Sequence, residues 1–257
     1  MRRKAIALVM SFTLFATALS GCGKKDDSKK NDTTEQGSVT KANDDGIDID
    51  AYIDSFESCL DPEEGTLEPA EVSDDYEIDD RSNSKLIKYT KISPNRSSPR
   101  NHKIDTITIH CTGGQLTTVT IGNIFGSSRA QASANYGIGM DGEIGLYVEE
   151  KDRSWCSSNA ANDNRAITIE VSSDSYAPYA VNDAAYESLI KLLVDICKRN
   201  DIKKLVWSDN KDDRINHKNG CNMTVHRDFA NKACPGDYLY ERMGEIADAV
   251  NEQLGAK

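Results

Sequence analysis

Two of the four histidines in this 257-residue chain stand where they could hold a metal ion. His110 ends the alternating run Thr106-Ile107-Thr108-Ile109-His110 and is followed by Cys111-Thr112-Gly113-Gly114, where the glycines let the backbone turn sharply beside an open cleft. His226 lies in Thr224-Val225-His226-Arg227-Asp228. Soon after it comes Lys232-Ala233-Cys234-Pro235-Gly236, which runs into the last helical pattern. Two imidazoles and a thiolate are good zinc ligands, and three protein ligands leave a fourth position for water, the arrangement of a catalytic site. Ligands this far apart in sequence are not a motif in themselves, and a strand-end histidine can equally be a satisfied polar residue. His102 and His217 lie in polar, loop-like surroundings and read as surface residues.

The elements around these residues decide whether they can meet. Thr106 to His110 alternates with Ile107 and Ile109 on one face and His110 on the other. Ala166-Ile167-Thr168-Ile169-Glu170-Val171 repeats the pattern, so His110 and Glu170 hold equivalent places on two similar strands. Tyr136 to Gly139 and Ile144 to Val148 flank Asp141-Gly142, a hairpin turn signal. Lys204 to Trp207 reads as a further short strand. From Asp183 to Asn200, Tyr186, Leu189, Ile190, Leu193, Ile196 and Cys197 form one helical stripe, with Asn182 or Asp183 as N-cap; Asp237 to Leu254 forms another. Strands interleaved with helices predict an α/β fold, a mixed central sheet flanked by helices. Trp155 is placed either to line the cleft or to fill a core.

Charge separates the folded part from the rest. The net charge is -11, and residues 1–83 hold 9 of the 31 Lys and Arg but 20 of the 42 Asp and Glu. The remainder is therefore neutral. A surface of this kind lacks the positive field that phosphate binding requires, so nucleic acid is not an expected partner. Met1 to Cys22 has basic Arg2, Arg3 and Lys4, then an apolar stretch from Ala5 to Leu19, as a secretion signal does. Its end, Leu19-Ser20-Gly21-Cys22, resembles the lipobox of bacterial lipoproteins, which implies cleavage of a signal peptide at residues 1–21, lipidation of Cys22 and an extracytoplasmic location on the cell membrane.

Residues 22–83 read as the lipidated cysteine followed by an acidic, largely disordered tether, with a reach of roughly 45 Å if it is a flexible coil. From Asp44 to Asp80 there are sixteen acidic residues and no basic one, a block expected to repel itself and stay extended. Within it Tyr52, Ile53, Phe56, Cys59 and Leu60 fall at helical spacing, a short helix that could dock on the domain or form only transiently, the second being the favoured reading. Residues 84–257 are the expected domain. Spacing pairs none of the six cysteines after Cys22, and the domain reads as core-stabilised and monomeric.

Residues from about Tyr89 to Leu254 resemble the type-2 N-acetylmuramoyl-L-alanine amidases, zinc enzymes that share their fold with peptidoglycan recognition proteins. TITIHCTGG, ANYGIGMDGEIGLYVEE, RAITIEV and NMTVHRDFANKACPGDYLYERM carry the likeness, in the family's order. The resemblance implies zinc held by His110, His226 and Cys234, and cleavage of the bond between N-acetylmuramic acid and L-alanine in peptidoglycan. It implies that Glu170 takes a proton from water and returns it to the alanine nitrogen, that Lys232 stabilises the oxyanion, and that Tyr136 lines the site. Cys111 is expected to pack in the core, because successive strand side chains point to opposite faces. The alternative is a peptidoglycan-binding lipoprotein without activity. That reading predicts loss of a ligand or of the base, and all are present.

Overall fold

A computed structural model describes residues 46–55 and 59–256. The signal segment, Cys22 and the first part of the tether lie outside the described residues. Helices and strands follow in the order α1 (Ile49–Asp54), β1 (Tyr89–Thr90), β2 (Arg96–Ser97), β3 (Thr106–Cys111), α2 (Thr118–Phe125), β4 (Tyr136–Ile138), β5 (Ile144–Leu146) and β6 (Arg153–Ser154). They continue with α3 (Ala160–Arg165), β7 (Ala166–Val171), α4 (Asp183–Arg199), α5 (Lys211–Ile215), β8 (Met223–Val225), α6 (Gly236–Tyr240) and α7 (Met243–Leu254).

Six strands form one sheet in the order β1-β5-β4-β7-β3-β8, parallel except for the β4-β5 hairpin, and β2 pairs with β6 apart from it. The hairpin turns at Asp141-Gly142, where Gly142 has φ +82° and a Cβ would meet the Ala184 carbonyl oxygen at 2.7 Å. Both faces of the sheet are covered. Ile107, Ile109, Ile167 and Ile169 pack with Leu189, Leu193 and Ile196 of α4 and Met243, Ile246 and Val250 of α7. The other face carries Ile121, Ile124 and Phe125 of α2 together with Tyr147 and Cys156. The α4 stripe is apolar at the predicted spacing, and the Asn182 side chain caps it by accepting from Ala185 N at 2.9 Å.

Threonines at the alternate strand positions face this second layer, and they are buried. Thr108 Oγ1 lies 2.8 Å from Thr224 Oγ1, Asn162 bridges both hydroxyls, and Thr168 Oγ1 receives Asn135 N at 3.0 Å. Burial of a hydroxyl without a partner costs a few kcal/mol, which this network avoids. It forms a rigid polar floor beneath the strand ends.

Three expectations are corrected. Residues 204–207 form no strand: the Asn222 and Asn251 side chains occupy backbone groups of Val206 and Leu205 that a ladder would use. The last helix is two, α6 and α7, interrupted at Glu241-Arg242, where the Arg242 N–H donates to Leu239 in a tighter turn. Of the expected tether through residue 83, residues 46–55 and 59–83 instead lie on the domain. Ile53 and Cys59 are buried in the second core, Arg129 pairs with Asp50 and Asp54, and Arg153 meets Glu64 at 2.7 Å. The acidic segment carries no basic partner of its own, and the folded domain presents the arginines that pair with it.

Candidate active site

Register creates the heart of the site. β3 and β7 run parallel with His110 opposite Glu170, so two side chains 60 positions apart in sequence become neighbours on one face, at the C-terminal ends of their strands. On the other flank of β3, β8 pairs Val225 with Ile109 and delivers His226 beside His110; the ring centroids are 5.1 Å apart. Asp228 holds this turn. Its carboxylate accepts from Val225 N at 3.1 Å and from the Arg214 guanidinium at 3.0 and 2.5 Å, both side chains being buried. Arg214 also stacks 4.2 Å from the Trp207 ring.

Cys234 arrives from the segment before α6. Gly236, at φ +78°, permits the turn there; a Cβ would lie 2.5 Å from Tyr179 Cβ. The Cys234 Sγ then lies 3.4 Å from His110 Nδ1. One ligand atom from each of His110, His226 and Cys234 lies within 4.8 Å of the others. Tetrahedral zinc with its usual nitrogen and sulfur distances separates those two ligand types by roughly 3.5 Å. The donor set and the spacing both fit zinc.

Electrostatics also suits a cation. Burial lowers the affinity of His110 for a proton, helped by His226, and burial with Lys232 nearby takes His226 down to about 4. Both imidazoles are therefore neutral and able to ligate. Burial pushes the Cys234 thiol well above its ordinary value, as does the hydrogen bond it shares with Cys111. Glu170, buried and beside Cys111, is raised to about 8. Its Oε1 lies 3.9 Å from His110 Nδ1, while its Oε2 is buried and receives no hydrogen bond. A divalent cation would relieve the burial cost of this carboxylate.

The other residues expected at the site divide. Lys232 is half-buried, close enough to His226 to repel its proton, and lines an open cleft of about 790 Å³ with Ser158 and Phe229. Cys111 packs half-buried against the strand and helix core, outside the ligand trio, with its free thiol hydrogen-bonded to Cys234. The expectation for Tyr136 is corrected. It pairs with Ile169 and shares that residue's face, opposite Glu170; its hydroxyl donates to Glu150 at 2.7 Å and accepts from Ser84 N at 3.0 Å. The position of β4 level with Glu170 is Gly137, where the Tyr147 ring fills the space. Trp155 is also interior, with Nε1 donating to Ser97.

Three contributors were not singled out from sequence. Ser158, at φ +58°, places its Oγ 3.1 Å from His226 Nε2. Cys156 belongs to a second group of close ligand atoms with His110 and Glu170. Asp163 holds the loop carrying both, accepting from the backbone N–H of Cys156 and Ser157 and from Ser157 Oγ at 2.6 Å. The available signal was Asn159 three residues before Asn162, an N-cap spacing that starts α3.

Burial raises the Asp163 carboxyl to about 6 despite these bonds. The folded state thus holds its proton more tightly than the unfolded state, and its contribution is largest below pH 4 and declines as pH rises from about 4 to about 6. The expected loss is about 3 kcal/mol across that window. Urea titrations of the wild type and Asp163→Asn at several pH values check it: the difference between the two should follow this slope, and a pH-independent difference would contradict it.

The fold is similar to that of several solved structures. AmpD has a solved structure that covers 65% of this chain and 98% of its own, with a TM-score of 0.50 and 20% identity. The amidase LysC from Clostridium intestinale URNW covers 68% of this chain and 100% of its own, with a TM-score of 0.45 and 20% identity. No curated protein sequence matches significantly. The family model described as N-acetylmuramoyl-L-alanine amidase matches residues 100–237, and the chain belongs to that family of peptidoglycan hydrolases.

Proposed function

We propose that the chain cleaves the amide between N-acetylmuramic acid and L-alanine with a zinc ion held by His110, His226 and Cys234. The observation that carries this is the convergence of those three ligand atoms within 4.8 Å beside Glu170. When bound, the ion supplies an activated water and polarises the scissile carbonyl. Glu170, beside His110 at the strand ends, accepts a proton from the attacking water and delivers it to the departing alanine nitrogen. Lys232, on the cleft wall near His226, offers a cation to the oxyanion that develops on the carbonyl. A binding module without turnover has no use for a retained thiolate ligand together with a buried base.

The chain works from the membrane surface, as the lipobox-like sequence ending in Cys22 supports, and acts on the wall as a monomer. The decisive experiment is mass spectrometry of peptidoglycan digested by the full chain in detergent. Free stem peptides with an N-terminal alanine are expected, a chelator should stop their release, and zinc should restore it. Products that keep the stem peptide on muramic acid would refute the assigned bond. Intact mass of membrane-extracted protein should show a chain beginning at a diacylglyceryl-modified Cys22, and an unmodified Cys22 would overturn the anchor.

A further inference from the structure

The loop that carries Ser158 is strained and braced from two sides. Ser158 has φ +58°, a backbone conformation natural to glycine and adopted by other residues only where their surroundings impose it. On the domain side, Asp163 accepts from Cys156 N, Ser157 N and Ser157 Oγ. On the other side stands the segment before the family-matching residues. The Cys59 carbonyl accepts from Ser158 N at 3.1 Å, and Asp61 Oδ2 accepts from Ala160 N at 2.8 Å, one of the backbone groups that the start of α3 leaves open. That segment is itself fixed, with Cys59 buried in the second core and Glu64 paired with buried Arg153.

What the strained position presents is a hydroxyl. Ser158 Oγ lies 3.1 Å from Nε2 of His226, whose ring is buried. A histidine that ligates through one ring nitrogen has its tautomer and orientation set by the bond that the other nitrogen makes. With Nε2 taken by Ser158, Nδ1 is the nitrogen left for an ion, and in His110 it is likewise Nδ1 that faces the Cys234 sulfur, at 3.4 Å. Glycine at position 158 would meet the backbone demand without strain and would remove the hydroxyl from Nε2.

We propose that Ser158 is a positioning residue of the metal centre: it accepts from the Nε2–H of His226 and turns Nδ1 toward the ion, and Cys59 and Asp61 of the acidic segment hold it there. The inference rests on the zinc site proposed above. It gives the docking of the segment on the domain a function, the support of one metal ligand.

The test uses the full chain in detergent with zinc alone as the probe. Chelator competition should show Ser158→Gly binding zinc about 10- to 100-fold more weakly than wild type, the cost of removing an outer partner of a metal ligand. Its Tm without metal should not fall, because glycine suits the backbone at this position, so misfolding does not account for the loss. Asp61→Ala, which keeps Ser158 and loosens its support, should weaken zinc binding in the same direction by a smaller factor. Nitrogen–proton NMR correlations of the histidine rings supply a signature that a merely structural residue would not move: metal-free wild type should carry the His226 proton on Nε2, and Ser158→Gly should populate both tautomers. Wild-type zinc affinity in Ser158→Gly, or a wild-type His226 protonated on Nδ1, would overturn the role of Ser158, and wild-type affinity in Asp61→Ala would overturn that of the segment. A wild type that binds no zinc would overturn the metal site and this inference with it, whereas zinc bound as expected without amide cleavage would overturn the amidase function alone.

Discussion

Glu170→Ala is expected to keep the zinc content of the wild type while losing turnover by roughly 10²- to 10⁴-fold, the range for removal of a positioned acid or base. The two halves of this result have separate causes. Zinc is retained because the ligand trio of His110, His226 and Cys234 does not include the glutamate, whose Oε1 lies 3.9 Å from His110. Turnover falls because no other carboxylate belongs to the close ligand groups around His110 among the described residues. Glu170→Gln keeps the volume and removes the proton acceptor, so it should be as impaired as the alanine variant. Metal analysis beside steady-state kinetics checks both. Normal turnover in the glutamine variant would remove Glu170 from the mechanism.

Cys234→Ser should act on the metal itself, weakening zinc binding by more than about 100-fold, because replacement of even an outer partner of a metal ligand costs 10- to 100-fold. A serine hydroxyl keeps its proton at neutral pH and is a poor substitute for thiolate. The Cys234 thiol is held well above its ordinary value by burial and by Cys111, so zinc must displace a proton from it on binding. Zinc affinity should therefore rise with pH, and uptake in weak buffer should acidify the solution. Cys111→Ser, which changes an outer partner of Cys234, should lose less zinc affinity than Cys234→Ser, since that thiol lies outside the trio. Chelator competition measures both variants. Equal zinc affinity in Cys234→Ser and wild type would leave the ion without its proposed third ligand.

Much of this arrangement was legible before any coordinates. The period-2 runs at Thr106–His110 and Ala166–Val171 placed His110 and Glu170 at matching strand positions, and the register of β3 against β7 makes them direct neighbours. Alternation determines which face a side chain takes, so it carried this information faithfully. The same alternation places Tyr136 on the face opposite Glu170 once β4 is set against β7. Family likeness pointed to the tyrosine, but only strand pairing shows that Gly137 occupies the level of the glutamate.

The acidic segment shows the converse. Its helical spacing at Tyr52 and Ile53 was visible, yet sixteen acidic residues without a base argued for an extended chain. The partners that reverse this are Arg129 and Arg153, far away in sequence and close only in the fold. Local order determined the strands, the caps, the hairpin and the identity of the metal-binding side chains. Tertiary structure alone decided which distant groups share a few ångströms, because Coulomb attraction and burial depend on separation in space, and spacing along a chain does not specify it.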